Sequence, residues 1–250
     1  MPFAAQSRPL KVGTRFSAAA LFIIATGPAF SADINTLQLL TQTEFRQLSE
    51  DLGAALSFKP LIPAESMGIT GFDIGVAATG TRIEHQPVWS KAAGGASVPS
   101  TVGMPMLRVH KGLPLDLDIG VSYGVVPSSN VRVLGGELRW AVLPGSTLTP
   151  AIALRAGAGV LDGVNQLSLR TASFDVSISK GFALLTPYAG IGTVLVRSRP
   201  EASAGLASES FKLGKAFVGV NLNLGLANLA VEGDRTGDAT SYGVKLGFRF

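Results

Sequence analysis

The end of the chain alternates with a period of two. Tyr242, Val244, Leu246, Phe248 and Phe250 interleave with Ser241, Gly243, Lys245, Gly247 and Arg249. That period places successive side chains on opposite faces of a β-strand. The same division runs through Leu115–Tyr123. It recurs where Ile152, Leu154, Ala156 and Ala158 oppose Arg155, Gly157 and Gly159. Further on, Val218, Val220, Leu222 and Leu224 oppose Phe217, Gly219, Asn221 and Asn223. The pattern predicts ten strands, over 67–84, 102–111, 115–126, 131–143, 148–161, 166–181, 185–198, 211–225, 227–233 and 240–250. Upstream the period changes. Leu37, Leu40, Phe45, Leu48, Leu52 and Leu56 recur near helical spacing, which predicts a helix over Asn35–Leu56. Gly53 weakens its last turn, and Pro60 and Pro63 prevent it from continuing.

Alternating strands suit a soluble sandwich, with the apolar face in a core, or a membrane barrel, with that face in lipid. Connection lengths separate the two. The connections at 112–114, 144–147, 182–184 and 225–227 are short and fall at one end. The other end takes 85–101, 127–130, 162–165, 199–210 and 234–239, including both long loops. Short turns on one rim and longer loops on the other are the asymmetry of outer-membrane barrels. The fold expected is an all-β, transmembrane, antiparallel up-and-down barrel of about ten strands, with eight or twelve as alternatives. A short N-terminal helix precedes it.

The first residues agree with export. Arg8, Lys11 and Arg15 precede an apolar stretch, Phe16–Phe30, and Ala29-Phe30-Ser31 offers small residues around a cleavage point. That order predicts a signal peptide over 1–31, a mature start near Ala32, a helical segment and linker over 32–64, and a barrel over 65–250. Composition then removes whole classes. The chain of 250 residues is 46% hydrophobic and 15% charged, with 30 glycines and no cysteine. Disulfide scaffolds, thiol catalysis and cysteine-bound metals are therefore excluded. The pI of 9.6 hints at nucleic acid. However, three positive charges lie in residues 1–31, and without them the net charge of +4 becomes +1. No nucleic-acid partner is expected.

The exported start, the alternating segments and the aromatic ending resemble bacterial outer-membrane β-barrel proteins of the small, porin-like class. Tyr242, Val244, Leu246, Phe248 and the terminal Phe250 resemble the signal read by the β-barrel assembly machinery. The resemblance implies an outer-membrane location and two partners, the surrounding lipid and that machinery during insertion. It implies no activity, and oligomeric state stays open.

Chemical motifs are sparse. Gly120-Val121-Ser122-Tyr123-Gly124 matches the G-x-S-x-G of serine hydrolases, but it lies inside an alternating strand rather than on a strand-to-helix turn. A Ser122–His110–Asp118 grouping is the one conceivable triad. His85 and His110 have no nearby carboxylate at a metal-ligand spacing, and Asp234 and Asp238 read as a solvated turn. No catalytic residue, metal site or cofactor is expected, and the chain is read as a non-enzyme. The informative set is the charged residues on the small-residue face. Arg108, Arg139, Arg155, Lys215, Lys245 and Arg249 are the positive lumen-lining candidates. Asp73, Asp116, Asp118, Glu137, Asp175 and Glu232 are the negative ones. Charges facing lipid at mid-bilayer cost about 2–4 kcal/mol for Arg or Lys, so this register is physically demanded. Such a lumen is a narrow channel or binding barrel for small solutes, or a charge-paired plug. The alternatives are a surface structural or adhesion protein acting through loops 85–101 and 199–210, and a barrel-embedded hydrolase.

Overall fold

In the computed structural model the described residues are 33–250, so the expected signal segment lies outside them. Ten antiparallel strands close into an up-and-down barrel: β1 (Phe72–Arg82), β2 (Thr101–Gly112), β3 (Leu117–Val125), β4 (Arg132–Leu143), β5 (Ala151–Asp162), β6 (Leu167–Ser179), β7 (Leu185–Pro200), β8 (Glu209–Leu224), β9 (Ala227–Thr236) and β10 (Ala239–Arg249). Each strand pairs with its sequence neighbours, and β1 closes the ring on β10, from Asp73 opposite Arg249 to Thr81 opposite Ser241. Closure leaves no unpaired edge. The connections after β2, β4, β6 and β8 share one end, and those after β1, β3, β5, β7 and β9 share the other.

The alternation sorts itself as a barrel in lipid requires. Leu107, Val218 and Ile191 are 60%, 64% and 70% exposed, whereas Asp73, Arg139 and Lys245 are fully buried. Large apolar side chains outside and charges inside invert a soluble protein. A closed surface of this kind needs an apolar solvent, which is the bilayer.

The helical expectation is met in part. Helix α1 spans Gln42–Leu56, preceded by a 3-10 turn at Leu37–Leu39. Thr41 sets the boundary: its hydroxyl accepts from Glu44 N–H, and the Glu44 carboxylate accepts from Thr41 N–H at 2.7 Å. This reciprocal cap fixes Thr41 in extended geometry, so the helix cannot run back to Asn35. Phe45, Leu48 and Leu52 are buried against the barrel wall. Gly53 has a specific use, since a Cβ there would sit 2.6 Å from Val196 Cγ2 on β7. The glycine that weakens the helix lets it approach the wall. A second helix, α2 (Gln86–Ala92), forms inside the 85–101 loop, where none is expected. Its Trp89 indole donates to Asp51 of α1 at 3.0 Å.

Candidate functional site

The lumen is filled by the chain itself. At the long-loop mouth, Asn130 N–H donates to Asp33 at 2.8 Å, and Leu37 N–H donates to Gln166 at 3.2 Å. At the short-turn end, Met67 N–H donates to Asp118 at 3.1 Å. Residues 33–67 therefore thread the barrel from one mouth to the other before β1 begins.

Below α1 the segment has no regular secondary structure, and its backbone groups must find partners in a packed interior. Lys215 Nζ donates to the Phe58 carbonyl at 2.6 Å. The Arg108 guanidinium donates to the carbonyls of Lys59 and Pro60 at 2.7 and 3.0 Å. Arg139 donates to the Pro63 carbonyl at 2.6 Å. Leu61 N–H reaches Glu232 at 2.7 Å, and Ala64 N–H reaches Ser179 at 3.1 Å. Pro60 and Pro63 carry no N–H, so two donors that would need acceptors are absent.

The predicted lumen residues assemble into linked groups. Glu137 lies 2.9 Å from His110 Nε2 and 2.9 Å from Arg155 Nε. Neither carboxylate oxygen forms an aligned hydrogen bond, so charge attraction to Arg155 rather than directionality holds Glu137. Arg155 continues to Asp175 at 3.4 Å, and Asp175 to Lys215 at 3.7 Å. Arg139 pairs with Asp118 at 2.8 Å. Asp73 gathers Lys245 at 2.8 Å and Arg249 at 3.1 Å. Glu232 also accepts from the Tyr188 hydroxyl at 2.9 Å.

Asp116 stands apart, which corrects its lumen assignment. It is exposed in the β2–β3 turn, where Leu115 and Asp116 both have positive φ, 65° and 56°. A left-handed pair ends the alternation there, so extrapolating the period across the turn misplaces the side chain. Asp234 departs the other way. β9 extends to Thr236, and Asp234 is buried inside it, 2.8 Å from Lys59 of the threading segment.

Both histidines meet carboxylates that sequence distance hides. His85 Nδ1 lies 3.2 Å from Asp51. His110 meets Glu137 across Gly120, which pairs in register with both. A Cβ on Gly120 would sit 2.4 Å from the His110 ring and 2.9 Å from Glu137 Cγ. The first glycine of the hydrolase-like motif is thus the space in which the His110–Glu137 contact forms. His110 and Asp118 are each committed elsewhere, so the structure does not assemble the Ser122–His110–Asp118 grouping. Among the described residues no cluster of carboxylates and histidines is arranged to hold a metal ion.

No protein-family model matches the chain, and no curated protein matches it either. Solved structures do. The N-terminal β-barrel domain of Pseudomonas aeruginosa OprF is 14% identical, with TM-score 0.34, over 73% of this chain and 99% of that one. The outer membrane protein OprG of the same organism is 12% identical, with TM-score 0.34, over 74% and 99%. Acinetobacter baumannii outer membrane protein Omp33 is 8% identical, with TM-score 0.33, over 76% and 100%. The chain is a membrane-spanning β-barrel. Its own geometry says so, through the closed ring, the apolar outer wall and the sealed charges.

At the mouth with the long loops the chemistry is solvated. Lys91 of α2 donates to Glu44 at 2.8 Å, and this contact with the Thr41 cap holds the Glu44 carboxyl down at about 2. A depressed carboxyl favours folding above its ordinary value, near 4.5, and that contribution disappears as pH falls through about 2. Carboxyl NMR of the folded protein should show a Glu44 midpoint near 2, moving toward 4.5 in Lys91→Met. An unmoved midpoint would mean that Lys91 does not engage α1.

Proposed function

We propose that the protein is a closed outer-membrane anchor, in which the barrel grips its own N-terminal segment and presents its start at the outer face. One observation carries this reading: Arg108, Arg139 and Lys215, three buried cations of the wall, are spent on main-chain carbonyls of residues 58–63. Hydrogen bonds to charged groups contribute about 1.5–3 kcal/mol each, so the segment is held as a built part of the wall. Pockets beside it hold about 10 and 20 Å³, room for about one water each. A resting conduit for solutes needs that space and those cations. A structural or adhesive role at the surface needs neither, only a stable barrel and the loops above it.

The absence of cysteine makes the test clean. Single thiols introduced as Asp33→Cys, at the long-loop mouth, and Leu148→Cys, in a short turn, are probed on intact cells with a membrane-impermeant maleimide. Labelling is expected at position 33 and not at 148, while the unmodified protein in planar bilayers shows no stable conductance steps. Labelling at 148 alone would reverse the orientation, and steady open steps would restore the channel.

A further inference from the structure

The outer wall carries charges that the lipid-facing register should not tolerate. On β7 the outward apolar positions run from Leu185 through Ile191 to Leu195, and Arg197 and Arg199 follow on the same face. Ten residues at ~3.3 Å each, tilted by ~40°, cover about 25 Å, the height of a barrel's apolar band. The two arginines therefore sit where hydrocarbon ends and lipid headgroups begin, at the long-loop side.

They are not isolated. Arg170 on β6 lies directly opposite Arg197 and also faces out. On β8, Lys212 faces out opposite Leu195, which makes it a diagonal neighbour of Arg197. Directly opposed cross-strand residues have Cβ atoms ~5 Å apart, and like charges there repel. Among the described residues nothing relieves this: none of the four makes an ion pair there, and nearby Glu209 is taken by Arg46 and Gln42. Asp162 and Glu201 flank the patch without pairing to it, and Asp162 is opposed by Arg132. The β1–β3 sector at the same level offers only Arg82, which has Glu84 at 3.8 Å.

We propose that Arg170, Arg197, Arg199 and Lys212 form a binding site on the outside of the barrel for the phosphate groups of an anionic outer-leaflet lipid. The guanidinium fork matches phosphate oxygens bidentately, and one phosphate between Arg170 and Arg197 turns a repulsive pair into a clamp. An annulus of bulk lipid would neutralise scattered charges around the whole rim. Four unpaired cations on three adjacent strands fit a particular headgroup.

The test uses the full chain in neutral detergent, with native mass spectrometry after adding phosphatidic acid or phosphatidylcholine as probes. The wild type should retain phosphatidic acid preferentially, and Arg170→Gln/Arg197→Gln should cut that retention by about tenfold. A control pair with the same charge change, Arg82→Gln/Arg235→Gln, should leave it unchanged. Excess inorganic phosphate should not strip the lipid, because the acyl chains also lie on the wall. Equal loss in both doubles would reduce the effect to net charge, and stripping by free phosphate would make it a soluble-anion site; either overturns the proposal. Heat-modifiable gel mobility checks folding. If the double variant fails to fold, Arg197→Lys decides, since it keeps the charge and loses the fork. Reduced retention supports the clamp, and unchanged retention overturns it.

Discussion

Glu137→Gln is expected to lower the unfolding free energy by about 3–5 kcal/mol, the range for removing one partner of a buried ion pair. The substitution preserves shape and removes one charge. Arg155 would keep Asp175 at 3.4 Å, but His110 would lose the carboxylate at 2.9 Å that faces it across Gly120. Arg108, Arg139 and Lys215 already point at the threading segment, so the interior would carry excess positive charge in a closely packed lumen with little room for screening water. A solvated pair such as Arg46–Glu50, with both side chains about a third exposed, supplies the contrast: Glu50→Gln should cost about 0–1 kcal/mol. Urea unfolding in lipid vesicles measures both. If Glu137→Gln left urea stability unchanged and conferred anion selectivity in planar bilayers, the lumen would be a hydrated conduit and not a sealed core.

Strand positions were legible because one rule governs them. Lipid outside and a packed interior within impose a period of two, and Tyr242–Phe250 or Leu185–Leu195 can satisfy it in only one register. The same rule put Asp73, Glu137, Arg155 and Lys245 inside. It failed where the period stops. The left-handed Leu115-Asp116 pair and the buried Asp234 lie at strand ends, where chain geometry or one more ladder residue decides the face. The lumen filler was harder to read for a different reason. Phe58–Ala64 has neither period, and it is held through its own main-chain carbonyls, which leave no mark on sequence. Pro60 and Pro63 were visible as helix stops. That they also remove two unsatisfied donors follows only once the segment is placed in a dry lumen. The carboxylate contacts of His85 and His110 hide in the same way, because their carboxylates arrive from α1 and β4.

The orientation of β10 gives the second large effect. Val244→Arg or Leu246→Arg should each cost about 2–4 kcal/mol where these sites lie near the bilayer midplane. Both side chains face out, 43% and 48% exposed, so an added guanidinium has lipid around it and no acid opposite. Val244 is opposed by Ala78 and Val231, and Leu246 by Val76 and Leu229. On the inner face a simple polar lumen would make serine mild at Gly243 and Gly247 alike. The filled lumen separates them. A Cβ at Gly247 would meet the Asn228 amide at 3.2 Å, a polar neighbour that a hydroxyl can bond. One at Gly243 would meet Leu61 Cδ2 of the threading segment at 2.9 Å, an apolar contact already too close. Refolding into vesicles should therefore rank Gly247→Ser above Gly243→Ser, with both arginine variants below them. If Gly243→Ser and Gly247→Ser refolded equally well, Leu61 would not occupy the lumen at that level. If the arginine variants outperformed the serine variants, the strand would be shifted by one residue, and every inward charge would turn to the lipid.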